Sequence, residues 1–409
     1  MFYYERHIME KLAIFGGDPV RPDKIYYGRQ CIDEDDISVV ADTLRSDYIT
    51  CGPKVDEAEE KLRDLTGAMH AIVMTNDTSA LYTACFAAGI GPGDEVITTP
   101  LTFMASANCA LYCGAKPVFA DVDPDTYNID PQSIIEHITS KTKAIVAVDY
   151  TGQVVKVKEI RAICDKYNLI FIEDAAHSIG SKYNGKEVGT LADITCFSFH
   201  PVKTVTAGEG GALLTDNDEY ARKAYLFRSH GMEHDHSRFI TSPDDDNGGI
   251  WYYEQQLLGM NFRMTDFQAA LLCSQLGKLD TFVKRRKEIV RKYTDAFASI
   301  PEIIVQKEIP ESDTSRHLYI IQLDFNRLSC TRRQFFEAMS AENIQCQVHY
   351  VPIYWFPVYQ EMGYKKGLCP IAEKTYKGIM SIPLYPKLTD NDVNTVIHAV
   401  KKIVDYYRQ

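Results

Sequence analysis

Seven short runs rich in β-branched and apolar residues recur between residues 71 and 215, interleaved with helix-like stretches, and few architectures accommodate that alternation. The runs are "AIVM" (71–74), "EVIT" (95–98), "PVFA" (117–120), "AIVAV" (144–148), "LIFIE" (169–173), "ITCFS" (194–198) and "GALLT" (211–215). Between them lie periodic segments such as "TSALYTACFAAG" (78–89) and "KVKEIRAICDKYN" (156–168). Strands alternating with helices predict an α/β domain with a mainly parallel sheet covered by helices. In such sheets ligands collect where strands end and loops begin, so chemistry is expected at the carboxyl ends of these runs.

The rest of the chain predicts a second, smaller α+β lobe. A helical pattern runs from Thr265 to about Ala298 and is expected to link the lobes. It is followed by "HLYIIQLD" (317–324), the helix "CTRRQFFEAMSAEN" (330–343), "CQVHY" (346–350) and an amphipathic helix from Asp390. We expect a division into residues 1–275, an N-terminal segment with the large domain, and 276–409, the linking helix with the small C-terminal domain. With 409 residues and 45% hydrophobic content, the chain can supply two cores. "SPDDDNGG" (242–249) has the composition of an exposed loop.

Composition removes several function classes. Acids outnumber bases 56 to 44, giving a net charge of -12, and no long Lys/Arg cluster offers a footprint for a nucleic-acid backbone. No apolar run reaches the roughly 18 residues a membrane span needs, and the start "MFYYERHIMEKLAIF" lacks the features of a signal peptide, so a cytoplasmic protein is expected. The eleven cysteines contain no CxxC pair and read as reduced, mostly buried thiols. "EHDH" (233–236) and "DDD" (244–246) lack ligand spacing on a regular element, so no metal is expected. "GIGPG" (89–93) departs from GxGxxG and reads as a turn.

Three motifs at strand ends carry the chemistry. In "NDTSAL" (76–81), Thr78 and Ser79 precede a helix whose free amides would cradle a phosphate; an ordinary N-cap is the alternative. In "FIEDAAHSIGS" (171–181), Asp174 follows an apolar strand, where a carboxylate can hold a ring nitrogen protonated as pyridoxal phosphate requires. A turn or cap aspartate is the plainer reading of Asp174, and a buried structural histidine that of His177. No GxSxG elbow supports a hydrolase. In "SFHPVKTVTAGEGGALLTD" (198–216), Lys203 stands near an apolar strand end, where burial disfavours its charge and leaves the amine able to attack an aldehyde. Ser198, Thr204 and Thr206 offer hydroxyls, Gly208, Gly210 and Gly211 permit a tight turn, and Glu209 reads as a turn residue. Phosphate cradle, acid and lysine in this order on successive strands favour a pyridoxal phosphate enzyme.

With these residues in view, the chain resembles the DegT/DnrJ/EryC1/StrS family of sugar aminotransferases, from "LAIFGGDPVRPDKIYYGRQCIDEDDI" to the last helix. The marks are "NDTSAL", "PLTFMASAN", "IEDAAHSIG", "SFHPVKTVTAGEGGALLT" and "GMNFRMTDFQAA". The resemblance implies the fold-type I aspartate aminotransferase architecture with pyridoxal 5′-phosphate on Lys203 and Asp174 at the pyridine nitrogen. It further implies Phe103 stacked on the ring, His177 near its O3′ side, and Thr78, Ser79 and Ser198 on the phosphate. Asn261 would reach in from a second subunit, which implies a homodimer with shared sites. For the sugar nucleotide it points to Tyr27, to Asp47, Tyr48, Ile49 and Thr50, to Asp77, and to Gln347, Val348, His349 and Tyr350. Asp77 departs from the small or neutral residue common in relatives, and an anion beside a phosphate is unfavourable. "FRSHGM", "WYYEQQLLGMNFRMTDFQAALLCSQL" and "QVHYVPIY" look most like the branch that aminates C4 of UDP-2-acetamido-2,6-dideoxy-β-L-arabino-hex-4-ulose with L-glutamate as donor.

Overall fold

The computed structural model describes residues 10–241 and 249–409. Most of the expected loop at 242–249, including the acidic run 244–246, lies outside the described residues. All seven expected strands form, and they build one sheet: β1 (His70–Met74), β2 (Glu95–Thr98), β3 (Lys116–Phe119), β4 (Thr142–Val148), β5 (Ile170–Asp174), β6 (Ile194–Ser198) and β7 (Gly211–Thr215). Their order is β1-β7-β6-β5-β4-β2-β3, with β7 antiparallel to both neighbours and every other pairing parallel.

The near-continuous apolar character of these strands follows from burial on both faces. Ile97, Ile145, Ala147, Phe171 and Phe197 point into one hydrophobic core, whereas Val96, Ala144, Val146, Ile172 and Cys196 point into another. Adjacent residues thus serve opposite layers, as the two-residue period of a strand demands. Register then sets the ends level: Val148 pairs with Asp174, and Asp174 with Cys196. The carboxyl ends of β4, β5 and β6 therefore form one edge.

The helical pattern expected from Thr265 to Ala298 forms as two helices, Asp266–Leu276 and Leu279–Phe297. The break falls at Gly277 and Lys278. Glycine is a poor helix former, and the Lys278 ammonium is drawn to the carboxylates of Asp33 and Asp36, the latter at 2.9 Å. Beyond it, strands Ile303–Val305, Tyr319–Leu323 and Ile379–Ile382 form an antiparallel sheet packed on helices Arg332–Ala341 and Asp390–Tyr407. "CQVHY" contributes a single bridge, Gln347 with Ser381, and then runs as a loop toward the large sheet. Leu12 and Ile25 are buried in this second core. Glu342 fixes them there by accepting the amides of Ala13 and Val20, both at 2.9 Å, while pairing with Lys402 at 2.9 Å. Among the described residues no helix is long and apolar enough to cross a membrane.

The edge of the sheet also carries a steric requirement. A Cβ on Gly211, the first residue of β7, would lie 2.4 Å from the Asn76 carbonyl carbon and 2.5 Å from the Asp77 nitrogen. Because those are backbone atoms, Gly211→Ala is expected to lose about 1–3 kcal/mol of stability. Denaturant unfolding checks this; a variant as stable as the wild type would contradict the close approach.

Candidate active site

Above the level ends of β4, β5 and β6 lies a cavity of about 470 Å³. Three segments wall it on the sheet side. The first is the turn after β1, where Asn76 caps the helix Asp77–Ala87. Asn76 Oδ1 accepts the Ser79 N–H at 2.9 Å, and the Ser79 hydroxyl donates to the Asn76 carbonyl at 2.6 Å. Ser79 is thus spent on the cap, while Asp77 and Thr78 line the cavity. Such a helix start presents free amides and the positive end of the dipole.

The second segment is the end of β5. Asp174 Oδ2 accepts the Ser106 hydroxyl at 2.6 Å and Oδ1 accepts the Ala176 N–H at 3.2 Å, so its orientation is fixed. Burial raises its pKa above the ordinary carboxylate range, while the Ser106 and Ala176 hydrogen bonds and the Lys203 charge oppose the shift. The third is the turn after β6, which places Ser198 and Lys203 on the wall. Burial lowers the Lys203 amine to about 8, with Asp77 and Asp174 resisting the loss of its proton. A buried lysine so placed supplies a neutral amine near physiological pH.

The opposite wall is shared between the two lobes: His177, Tyr27 and Phe103 meet His317, His349 and Tyr350 of the second. The Thr151 amide donates to His177 Nδ1 at 3.3 Å, which leaves the hydrogen on Nε2, facing the Tyr350 hydroxyl at 3.2 Å. Burial and then the Lys203 charge push His177 well below the usual histidine range, so it is neutral. The His317 ring lies 4.5 Å from that of His177, and the His349 ring 5.5 Å from that of Tyr27. Phe103 leaves 53% of its surface open at the cavity.

Of the residues singled out in the sequence, Tyr27, Asp77, Thr78, Phe103, Asp174, His177, Ser198, Lys203, His349 and Tyr350 line this one cavity. Ser79, Gln347 and Val348 lie beside it without lining it. Asp47, Tyr48, Ile49, Thr50 and Asn261 are exposed elsewhere, Asn261 with its backbone paired to Ser229. Sequence reasoning did not single out Thr102, Ser106, His200 and His317. Ser106 sits inside "PLTFMASAN", but nothing in the sequence links it to Asp174, 68 positions away.

Comparison with known proteins agrees with the geometry. The model of the DegT/DnrJ/EryC1/StrS aminotransferase family matches residues 30–401. The chain belongs to that family. The spore coat polysaccharide biosynthesis protein SpsC of Bacillus subtilis is 40% identical, covering 92% of this chain and 96% of SpsC. The UDP-4-amino-4,6-dideoxy-N-acetyl-beta-L-altrosamine transaminase of Campylobacter jejuni is 37% identical over 93% of this chain and 98% of its own. The structure of Helicobacter pylori PseC, an aminotransferase of pseudaminic acid biosynthesis, superposes with a TM-score of 0.86 at 34% identity, covering 94% of this chain and all of that one. A putative sugar aminotransferase of Streptococcus pneumoniae, solved in its PLP form, also gives 0.86 at 29% identity, covering 94% and 99%.

The protein is a pyridoxal phosphate-dependent sugar aminotransferase of fold-type I. Its own residues fit the cofactor: a hydroxyl at a helix N-terminus, a fixed carboxylate at a strand end and a buried amine converge on one cavity, and Asp77 Oδ1 there has no partner.

The depressed Lys203 pKa has a measurable consequence in the cofactor-free protein. Unfolded, this lysine holds its proton until about pH 10.4; folded, it releases it near 8, so the unfolded state binds more protons between those values. Stability therefore rises with pH across that window and is lost as pH falls through 8. Relative to Lys203→Met, the wild type should gain about 3 kcal/mol there. Parallel stability curves for the two proteins would refute a buried, neutral-leaning amine.

Proposed function

We propose that this enzyme moves the amino group of L-glutamate to C4 of UDP-2-acetamido-2,6-dideoxy-β-L-arabino-hex-4-ulose, giving UDP-4-amino-4,6-dideoxy-N-acetyl-β-L-altrosamine. The observation carrying this reading is the convergence of Lys203 and Asp174 in a cavity whose remaining wall, from Tyr27 to His349 and Tyr350, is polar and aromatic. The Campylobacter and Helicobacter relatives named above support the choice of sugar.

Bound pyridoxal phosphate supplies the electron sink that makes the substrate carbon acidic. Lys203 would hold the cofactor, and its freed amine would carry the proton from the substrate's α carbon to the cofactor's C4′, a task that requires a base neutral near pH 7. Asp174, oriented by Ser106, holds the ring nitrogen's proton. His177 would face the ring's oxygen, and Phe103 would cover a ring face. Thr78, Ser198 and the free helix amides receive the phosphate, with Ser79 holding the turn in shape through its cap to Asn76. Tyr27, His349 and Tyr350, with Gln347 and Val348 beside them, form the nucleotide-sugar surface, with Ser198 and Asn261 at its junction with the phosphate site. Glutamate leaves as 2-oxoglutarate before the keto sugar enters.

Asn261 belongs to this set through a second copy of the chain. It is exposed in its own subunit, in a stretch where Ile250, Trp251 and Leu258 expose 98%, 74% and 85% of their surfaces. Apolar side chains this open mark an interface. We therefore place the enzyme, in the cytoplasm, as a homodimer with shared sites. Lys203→Ala and Asn261→Ala proteins, each inactive, should regain activity when unfolded and refolded together, because one site of the mixed dimer keeps both residues. No recovery would remove Asn261 from the partner's site.

A second reading, another nucleotide-linked keto sugar, is favoured by SpsC, which is more similar than the Campylobacter enzyme and is named for a different polysaccharide. NMR of the product formed from the UDP-linked 4-keto sugar and glutamate decides between them. The expected product carries its new amine at C4 in the L-altro configuration. No amination of this sugar, alongside turnover of another, would establish the second reading. Lys203→Ala is expected to lose both half-reactions, and normal half-reactions in that variant would overturn its assignment.

A further inference from the structure

One polar atom in the cavity is left without a task. Asp77 Oδ1 is buried and has no hydrogen-bond partner, although its residue lines the wall between Asn76 and Thr78. Asp77 is the first residue of the helix Asp77–Ala87, whose amides face the same space. Acids at this helical position usually gain from the dipole while their oxygens remain in water. Here the residue is half-buried at the cavity wall with its Oδ1 sealed from water, and a buried oxygen without a partner is costly until a ligand or a proton completes the carboxyl group.

Its neighbours restrict the choice. The titratable groups facing Asp77 are Asp174 from the end of β5, Cys196 from β6 and Lys203 from the turn after β6. His200 and Glu209 line the wall beyond them, and β7 brings only the backbone of Gly211. Lys203 is the one cation in this immediate set, and Asp174 already claims part of its field. An ionised Asp77 would set a negative charge beside the hydroxyl and amides that would receive a phosphate dianion.

We propose that Asp77 is a proton-controlled gate on the phosphate end of this cavity: as a carboxylic acid it admits the cofactor's phosphate and donates its O–H to it, and as a carboxylate it turns the phosphate away. The inference rests on the reading that Thr78 and the helix start hold the phosphate. Only one O–H bond is made or broken; the proton comes from solvent or from the Lys203 ammonium. Burial, and then the Asp174 charge, hold Asp77 well above the ordinary carboxylate range, with Lys203 opposing, which favours its acid form. Phosphate binding then weakens as pH rises, with the side chain of Asp77 as the cause.

The test uses the full-length protein stripped of cofactor and titrated with pyridoxamine 5′-phosphate, which cannot attach to Lys203. Dissociation constants are measured by calorimetry across a pH series for the wild type, Asp77→Asn and Asp77→Ala. The ratio of wild-type to variant constants is expected to start near one for Asp77→Asn and below one for Asp77→Ala, which lacks a donor, and in both to climb with pH. Its slope should approach about tenfold per pH unit once Asp77 is ionised, as the uptake of one proton requires. Pyridoxamine without its phosphate should give a flat ratio. A ratio independent of pH, or one that climbs equally for pyridoxamine, overturns the gate. Failure of the wild type to bind pyridoxamine 5′-phosphate at any pH overturns instead the assignment of the cavity itself.

Discussion

The level ending of β4, β5 and β6 is the constraint on which the site depends. Parallel pairing in register brings Val148, Asp174 and Cys196 side by side, so the turns that follow must open on the same space. The antiparallel β7 returns between β6 and β1 and presses Gly211 against the start of the helix Asp77–Ala87. The phosphate-binding turn and the lysine turn are thereby held against each other by backbone contact. A side chain at Gly211 would separate them, although that residue touches no substrate.

Inside that frame the electrostatics are made by burial more than by pairing. Asp77, Asp174 and Lys203 all have their charged forms disfavoured first by loss of water, and their mutual attraction offsets only part of that. Two carboxyl groups facing one amine cannot all be satisfied as ions, so at least one proton must be shared among them. A cofactor bringing a ring nitrogen and a phosphate changes which group keeps it. Asp174 has Ser106 and Ala176 to stabilise its anion, and Asp77 Oδ1 has no partner. That asymmetry favours the proton on Asp77 over Asp174.

The strands were legible in the sequence because a parallel sheet buried on both faces needs continuous apolar runs, and each of the seven had one. The strand-end motifs followed from them, since position relative to a strand was what distinguished Lys203 from a surface lysine. What escaped was contact across the fold. Ser106 fixes Asp174 from 68 positions away, and His317 reaches His177 from another lobe; no local pattern encodes either. The sequence left Ser79 open between a phosphate ligand and a cap because an N-cap and a phosphate loop share one sequence pattern, and its hydroxyl is bound within the capping box. The helix from Thr265 looked continuous because its apolar period runs through Gly277, whereas the ion pairs of Lys278 with Asp33 and Asp36, which accompany the break, come from a remote segment.

The second lobe reaches the site through a strained residue. Thr151 has φ +65°, a conformation unfavourable for a β-branched side chain by roughly 1–3 kcal/mol. Its polar groups account for its persistence: the amide donates to His177 Nδ1, the carbonyl accepts the His317 N–H at 2.9 Å, and the hydroxyl donates to Gln306 at 2.8 Å. One residue thus fixes the tautomer of a cavity histidine and anchors the segment that carries another. Arg286, fully buried on the helix Leu279–Phe297, ties the same segment to Leu384 by donating to the carbonyls of His317 and Leu384, each at 3.1 Å. The imidazole wall is therefore positioned by the backbone of both lobes together, and a shift between them would move His317 against His177 before it disturbed Lys203 or Asp174.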